Sequence, residues 1–193
     1  MKLCIFAGTF NPIHNAHLMM AQYAIDNFGF DKILFIPAFK PPHKDYDSQI
    51  SEHRFNMVEL AIENNSHFEI SDIEFQRESK SYTYLTILEL YKLYNVDGKI
   101  NMLIGTDAFE KIESWYETDK LKELVDFIVF VRENEKVNFD ILKETGYNFK
   151  FAKMPFCDIS STEIRQKIQT NQSIQNLVTK EVKEYIEKNG LYK

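Results

Sequence analysis

Two short segments carry side chains whose types and spacing could do chemistry. The first, Gly8-Thr9-Phe10-Asn11-Pro12-Ile13-His14-Asn15-Ala16-His17, lies where an apolar run ends and a helical pattern begins. Gly8 permits close approach to the backbone, Thr9 and Phe10 can offer amides to an oxyanion, and a helix starting near Asn15 adds its positive end. His14 and His17, three apart at that helix start, project to one side and can donate hydrogen bonds to phosphoryl oxygens as charge shifts during transfer. A lone histidine here would more often cap or pack the first turn, but a pair points to one polyphosphate. Zinc is a competing use of the same side chains; His-x-x-His lacks the i, i+4 spacing and the glutamate of HExxH, and no further ligands stand out.

The second segment is Ile159-Ser160-Ser161-Thr162-Glu163-Ile164-Arg165, which combines hydroxyls, a helix start and an arginine. Ser160 and Glu163 fit a capping box, each side chain satisfying an exposed amide of the first turn. Capping leaves Ser161, Thr162 and Arg165 without a task, and all three are well placed to contact an anion at a helix N-terminus.

These segments need a scaffold that holds them rigidly. Leu3 to Ala7 suits a buried strand, followed by a helix with Leu18, Ala21, Ile25 and Phe28 on one face. Lys32 to Ile36 reads as a second strand, and the three prolines of the stretch from Pro37 to Lys44 force a loop. A helix from about Glu52 carries Phe55, Val58 and Ile62 inward, and His67 to Ile73 fits another strand. Thr83 to Tyr94 reads as helix, Ile100 to Ile104 and Val125 to Val131 as central parallel strands, and Phe149 to Ala152 as a short strand. Ser160 to Ile168 and Lys180 to Lys188 close the chain as helices. This alternation predicts an α/β, Rossmann-like fold, mostly parallel with helices on both faces, whose ligands bind beyond the carboxyl ends of the strands.

Whole-chain properties narrow the partners. The length of 193 residues predicts one domain, 1–193. Apolar residues at 44% and charged residues at 27% match ordinary globular usage, and no apolar stretch is long enough for a membrane span. The run after Met1-Lys2 is too short for a signal peptide, so a soluble, cytoplasmic protein is expected. A net charge of −6 with both signs interspersed argues against a nucleic-acid surface and leaves an anionic ligand to a local basic pocket. Cys4 and Cys157 lack metal or redox spacing and read as reduced thiols.

GTFNPIHNAH resembles the T/HxGH-type signature of the nucleotidyltransferase superfamily, with Asn11 for its usual aspartate and Ala16 for its usual glycine. ISSTEIR resembles, residue for residue, the ISSTxIR motif that in the superfamily holds the β- and γ-phosphates of ATP. The resemblance implies catalytic roles for His14, His17 and Arg165. It also implies ATP contacts from Gly8, Thr9, Phe10, Ser160, Ser161 and Thr162, with Mg²⁺ carried on ATP. Superfamily acceptors include nicotinate mononucleotide, nicotinamide mononucleotide and phosphopantetheine.

Pro41-Pro42-His43-Lys44, Ser81-Tyr82-Thr83, Ile104-Gly105-Thr106-Asp107 and Trp115-Tyr116 resemble bacterial nicotinate-mononucleotide adenylyltransferases in order and approximate spacing. On that resemblance ATP and nicotinate mononucleotide are the substrates, and the product is nicotinate adenine dinucleotide for NAD biosynthesis. Gly105 and Asp107 correspond to positions that meet the ATP ribose, and Arg132 to one lining the nucleotide site. Trp115 would stack on the pyridine ring, Tyr116 with Ser81, Tyr82 and Thr83 would receive the carboxylate, and Lys44 would neutralise the acceptor phosphate. The ordinary alternatives are a core tryptophan at 115, a solvated lysine at 44 and a helix-capping aspartate at 107. Leu85 stands where the family often has aspartate, and no substrate contact is assigned there.

Overall fold

Short apolar runs rich in β-branched and aromatic residues become strands, and each strand feeds a helix that covers one face of the resulting sheet. In the computed structural model, residues 2–42, 48–77, 79–131, 137–153 and 159–193 are described. The strands are β1 (Cys4–Gly8), β2 (Ile33–Pro37), β3 (Phe68–Ile70), β4 (Ile100–Gly105), β5 (Val125–Val131) and β6 (Phe149–Lys153). The helices are α1 (Asn15–Phe28), α2 (Ser48–Ile62), α3 (Ile73–Arg77), α4 (Thr83–Leu93), α5 (Thr106–Phe109), α6 (Thr118–Leu121), α7 (Asp140–Glu144), α8 (Ser161–Gln169) and α9 (Lys180–Asn189), with a 3-10 turn at Ile112–Ser114.

The strands form one sheet in the order β3-β2-β1-β4-β5-β6, and every neighbouring pair is parallel. This is the expected Rossmann-like α/β architecture. The chain winds outward from β1 to β3, then returns across β1 to build β4 to β6, so the winding reverses between β1 and β4. Crevices at such a reversal, beyond the carboxyl ends of the strands, are where this architecture binds ligands. Gly8 and Gly105 end the two strands that flank it.

Alternation along each strand splits the core in two. Cys4 and Phe6 of β1 and Ile33 and Phe35 of β2 pack with Ala21 of α1, Val58 of α2, Ile164 of α8 and Val182 of α9. Leu3, Ile5, Leu34 and Ile36 face the opposite side, against Ile87 and Leu90 of α4, Phe109 of α5 and Leu142 of α7. Strands buried on both faces read as continuous apolar runs, which is why β2 and β5 stand out in the sequence.

Some boundaries differ from the sequence reading. The strand expected to reach Ile73 ends at Ile70: the Ser71 amide makes the last bond to β2, at the Phe35 carbonyl, and the Asp72 carbonyl then accepts from Phe75 and Gln76, starting α3. Helix α2 begins at Ser48, one turn before Glu52. The short helices α3, α5, α6 and α7 have too few turns to show a helical period. Among the described residues, no helix is long and apolar enough to cross a membrane.

Phe109 anchors the second core: its fully buried ring lies 5.3 Å from that of Phe127, 5.2 Å from Phe139 and 5.1 Å from Phe149. Replacing it with alanine is expected to cost about 3–5 kcal/mol in urea unfolding, and an unchanged unfolding midpoint would contradict this packing.

Candidate active site

The segment after β1 turns sharply over the sheet end. Phe10 adopts φ 47°, an uncommon left-handed conformation for a non-glycine residue, and its buried ring packs edge-on to Phe6 at 5.4 Å and His17 at 5.1 Å. A Cβ on Gly8 would lie 3.0 Å from that ring, so the absence of a side chain there makes room for the turn. The Asn11–Pro12 peptide is cis. Three carbonyls of this loop meet partners: Thr9 accepts from Arg54 Nη1 at 2.6 Å, Asn11 from Arg165 Nη1 at 2.8 Å, and Pro12 from Ser161 Oγ at 2.9 Å.

The last two bonds join the motif segments across 154 and 149 residues. Ser160 caps α8, its Oγ accepting from the Glu163 amide at 3.1 Å. The reciprocal half of the expected capping box is replaced by an approach of the Glu163 carboxylate to Lys167 at 3.6 Å, one helical turn on. Arg165 also donates through Nη2 to Thr162 Oγ1 at 3.2 Å, so its guanidinium is fixed from both sides.

The two histidines stack at the start of α1, with ring centroids 3.6 Å apart and planes 24° from parallel. The His14 amide donates to His17 Nδ1 at 3.2 Å. A nitrogen that accepts cannot carry the proton, so this bond puts the His17 proton on Nε2 and makes that atom a donor. Burial pushes His14 down to about 4, and burial followed by the proximity of His14 holds His17 well below the usual histidine range. Both rings are therefore neutral at physiological pH. Among the described residues His14 Nδ1 is buried with no partner, a polar atom available to a ligand. The Asn15 amide at the helix start is committed to the Leu177 carbonyl at 2.9 Å.

A second group of expected residues lies around the start of α4. The Tyr82 ring lies 4.6 Å from that of Tyr116, and Tyr84 adds a ring 6.4 Å from Tyr116. Thr83 is the first residue of α4, and half-buried Trp115 packs against the second core. Ser81 is buried: its Oγ accepts from the Lys40 amide at 3.0 Å and its own amide donates to the Lys40 carbonyl at 2.9 Å, tying down the segment after β2. Gly105 ends β4 beside Phe130, and Asp107 lies exposed on the first turn of α5. Lys44 and Arg132 lie outside the described residues, as do His43 and Cys157.

Residues 5–167 match the sequence model of the cytidylyltransferase-like family. The nicotinate-nucleotide adenylyltransferase of Bacillus subtilis is 39% identical over 99% of this chain and 98% of its own length. A protein of Caldicellulosiruptor saccharolyticus named "probable nicotinate-nucleotide adenylyltransferase" is 41% identical, with each chain covered in full. The chain belongs to the cytidylyltransferase-like family, among its nicotinate-nucleotide adenylyltransferases. In structure it resembles the Plasmodium falciparum nicotinic acid mononucleotide adenylyltransferase complexed with NaAD, with a TM-score of 0.82 and 26% identity over 99% of this chain and 97% of the other.

Beside the two motifs, this adenylyltransferase places two residues that sequence reasoning missed. Arg54 of α2 is buried and donates to the Thr9 carbonyl, to the Phe39 carbonyl at 3.1 Å and to Ser51 Oγ at 2.9 Å. It thereby links the motif loop to the loop after β2. A signal existed, since Ser51, Arg54, Val58 and Ile62 fall on one helical face, so the arginine sits on an otherwise core-facing stripe. Tyr192, beyond α9, donates to Asn11 Oδ1 at 2.5 Å, and nothing in its local sequence announces a partner so far along the chain.

Buried His14 makes stability depend on pH. An unfolded histidine titrates near 6.5, whereas His14 in the fold titrates at about 4. Between these values the unfolded chain binds a proton that the folded chain refuses, so stability falls as pH drops from about 6.5 toward 4. Between about pH 7.5 and pH 5, the unfolding free energy of the wild type is expected to fall by roughly 2 kcal/mol more than that of His14→Gln. Identical pH slopes in paired urea titrations would refute the buried, neutral assignment.

Proposed function

We propose that this chain transfers the AMP part of ATP to nicotinate mononucleotide, giving nicotinate adenine dinucleotide and pyrophosphate for NAD biosynthesis. The observation that carries the proposal is the joining of the two motif segments, in which Ser161 and Arg165 bond the Pro12 and Asn11 carbonyls just ahead of the stacked pair His14 and His17. The resemblance to an enzyme complexed with NaAD supports the choice of product.

An oxygen of the acceptor phosphate attacks the α-phosphorus of ATP in line with the departing pyrophosphate. One phosphorus–oxygen bond forms, one breaks, and the leaving group takes the electron pair. A phosphate monoester is already ionised near neutral pH, so no protein nucleophile is required and rate enhancement comes from alignment and charge stabilisation. His17 Nε2–H and His14 donate to phosphoryl oxygens as charge moves toward them. Neutral imidazoles suit this task because they stabilise developing charge without having to be ionised in a buried site.

Arg165, with Ser160, Ser161 and Thr162, receives the β- and γ-phosphates, and the backbone from Gly8 to Phe10 lies along the triphosphate. Gly105 and Asp107, with Arg132, accommodate the nucleoside. On the acceptor side, Trp115, Tyr82 and Tyr116 offer aromatic faces to the pyridine ring. Thr83 meets its carboxylate, Lys44 its phosphate, and Ser81 holds the neighbouring loop in place. Mg²⁺ travels with ATP on its phosphate oxygens and neutralises part of their charge. Among the described residues, no three His, Cys, Asp or Glu side chains are grouped to hold a metal ion. One nucleotidyltransferase domain spanning 1–193 fits the contact between motifs from its two ends, and dependence on ATP fits the cytoplasm.

A pyrophosphate-release assay with nicotinate mononucleotide, nicotinamide mononucleotide and phosphopantetheine tests the acceptor; the highest kcat/KM is expected for the first. His17→Ala is expected to lower turnover by about 10²-fold or more while leaving the chain folded. Turnover at the wild-type level in that variant, or preference for another acceptor, would overturn the assignment.

A further inference from the structure

The end of α9 delivers a side chain into the motif loop by a sequence of local constraints. Gly190 adopts φ 61°, the left-handed conformation that glycine takes without steric cost. Its amide donates to the Glu187 carbonyl at 3.3 Å, and the Leu191 amide donates to Ile186 at 3.1 Å. This paired closure reverses the chain at the helix terminus and is characteristically accompanied by a buried apolar residue just beyond the glycine. Leu191 is that residue, buried in the first core. Tyr192 follows, packs partly buried against the same core, and reaches Asn11 Oδ1 at 2.5 Å.

The helix that delivers it is itself held. Tyr185 of α9 accepts from Asn56 Nδ2 of α2 at 2.9 Å and lies 2.9 Å from His53 Nδ1 of α2. Helix α2 also carries Arg54, which grips the Thr9 carbonyl. The motif loop is therefore tied at Thr9 by α2, at Asn11 by Tyr192 and Arg165, and at Pro12 by Ser161.

We propose that Tyr192 is a positioning residue for nucleotidyl transfer: its hydroxyl fixes the Asn11 side chain, and thereby the peptide carbonyl on which the Arg165 guanidinium is aligned. The inference rests on the proposed function, since alignment of Arg165 matters through the triphosphate it receives. Burial pushes the phenol above its usual range, with the Arg54 and Arg165 guanidiniums pulling the other way, so the hydroxyl keeps its proton and acts as a donor. Removing only that hydroxyl loosens the loop without emptying the packing site of the ring. Because the bond orients a group that meets the leaving pyrophosphate, where negative charge builds up in the transition state, its loss should appear in kcat more than in ground-state binding.

Steady-state kinetics of the full chain test this with Tyr192→Phe, Tyr192→Leu, Asn11→Ala and the double variant Tyr192→Phe/Asn11→Ala. Tyr192→Phe is expected to lower kcat roughly 5- to 20-fold, with KM for ATP and nicotinate mononucleotide within about twofold of wild type. Tyr192→Leu also loses ring packing and is expected to melt at a lower temperature, yet its folded fraction should have the same kcat as the phenylalanine variant. The double variant should be no slower than Asn11→Ala alone, because the two residues act as one unit. Wild-type kcat in Tyr192→Phe, additive losses in the double variant, or a kcat that tracks melting temperature through the series would overturn the inference while leaving the function intact. A wild type that releases no pyrophosphate with any acceptor would overturn the function, and the inference with it.

Discussion

The hydrogen bond from Arg165 to the Asn11 carbonyl, with its neighbour from Ser161 to Pro12, is the constraint on which the site depends. A peptide carbonyl cannot change its direction without moving the backbone on both sides, so each bond fixes a loop and a helix start together. These contacts, with Ile164 in the first core, set where the hydroxyls and guanidinium of α8 lie. The same guanidinium that orders the loop is proposed to meet phosphate, so structural and functional demands fall on one planar donor with several N–H groups.

Burial sets the electrostatics of the histidine pair. Two imidazoles 3.6 Å apart in a desolvated position cannot both carry charge cheaply, and each pays its own cost for leaving water. Neutrality then turns hydrogen-bond direction into a chemical specification. The His14 amide occupies Nδ1 of His17, which leaves Nε2 as the donor. A backbone bond thus decides which atom of a side chain can face a ligand, and the turn at Phe10, whose ring walls one side of His17, holds that geometry.

The sheet supplies the rigid frame that makes such small differences matter. Its central strands are buried on both faces, and the first motif loop projects from the end of β1, which β2 and β4 brace on either side, while the second motif follows the edge strand β6. The aromatic group of Tyr82, Tyr84 and Tyr116 grows from the start of α4 and the turn after Ile112–Ser114, both seated on the second core, whereas the histidines and Arg165 lie on elements of the first. The two groups of residues thus come from helices packed on opposite faces of one sheet.

The first strand, read as Leu3 to Ala7 and found at Cys4–Gly8, the strand from Val125 to Val131, the helices that begin at Asn15, Thr83 and Lys180, and the chemical character of both motifs are legible in the sequence. Those features are local: apolar period, turn residues and helix starts act over a few neighbours, and their signal is written in adjacent residues. It did not reveal that Ser81 would be spent holding Lys40, that the capping box at Ser160 would be half-made, or that Arg54 and Tyr192 would grip Thr9 and Asn11. Each of these depends on which backbone carbonyls and amides lie near in space once the helices have docked. They follow from tertiary packing, because a hydrogen bond spanning 181 residues, as between Tyr192 and Asn11, leaves no periodicity in the chain and exists only when packing brings its two ends together.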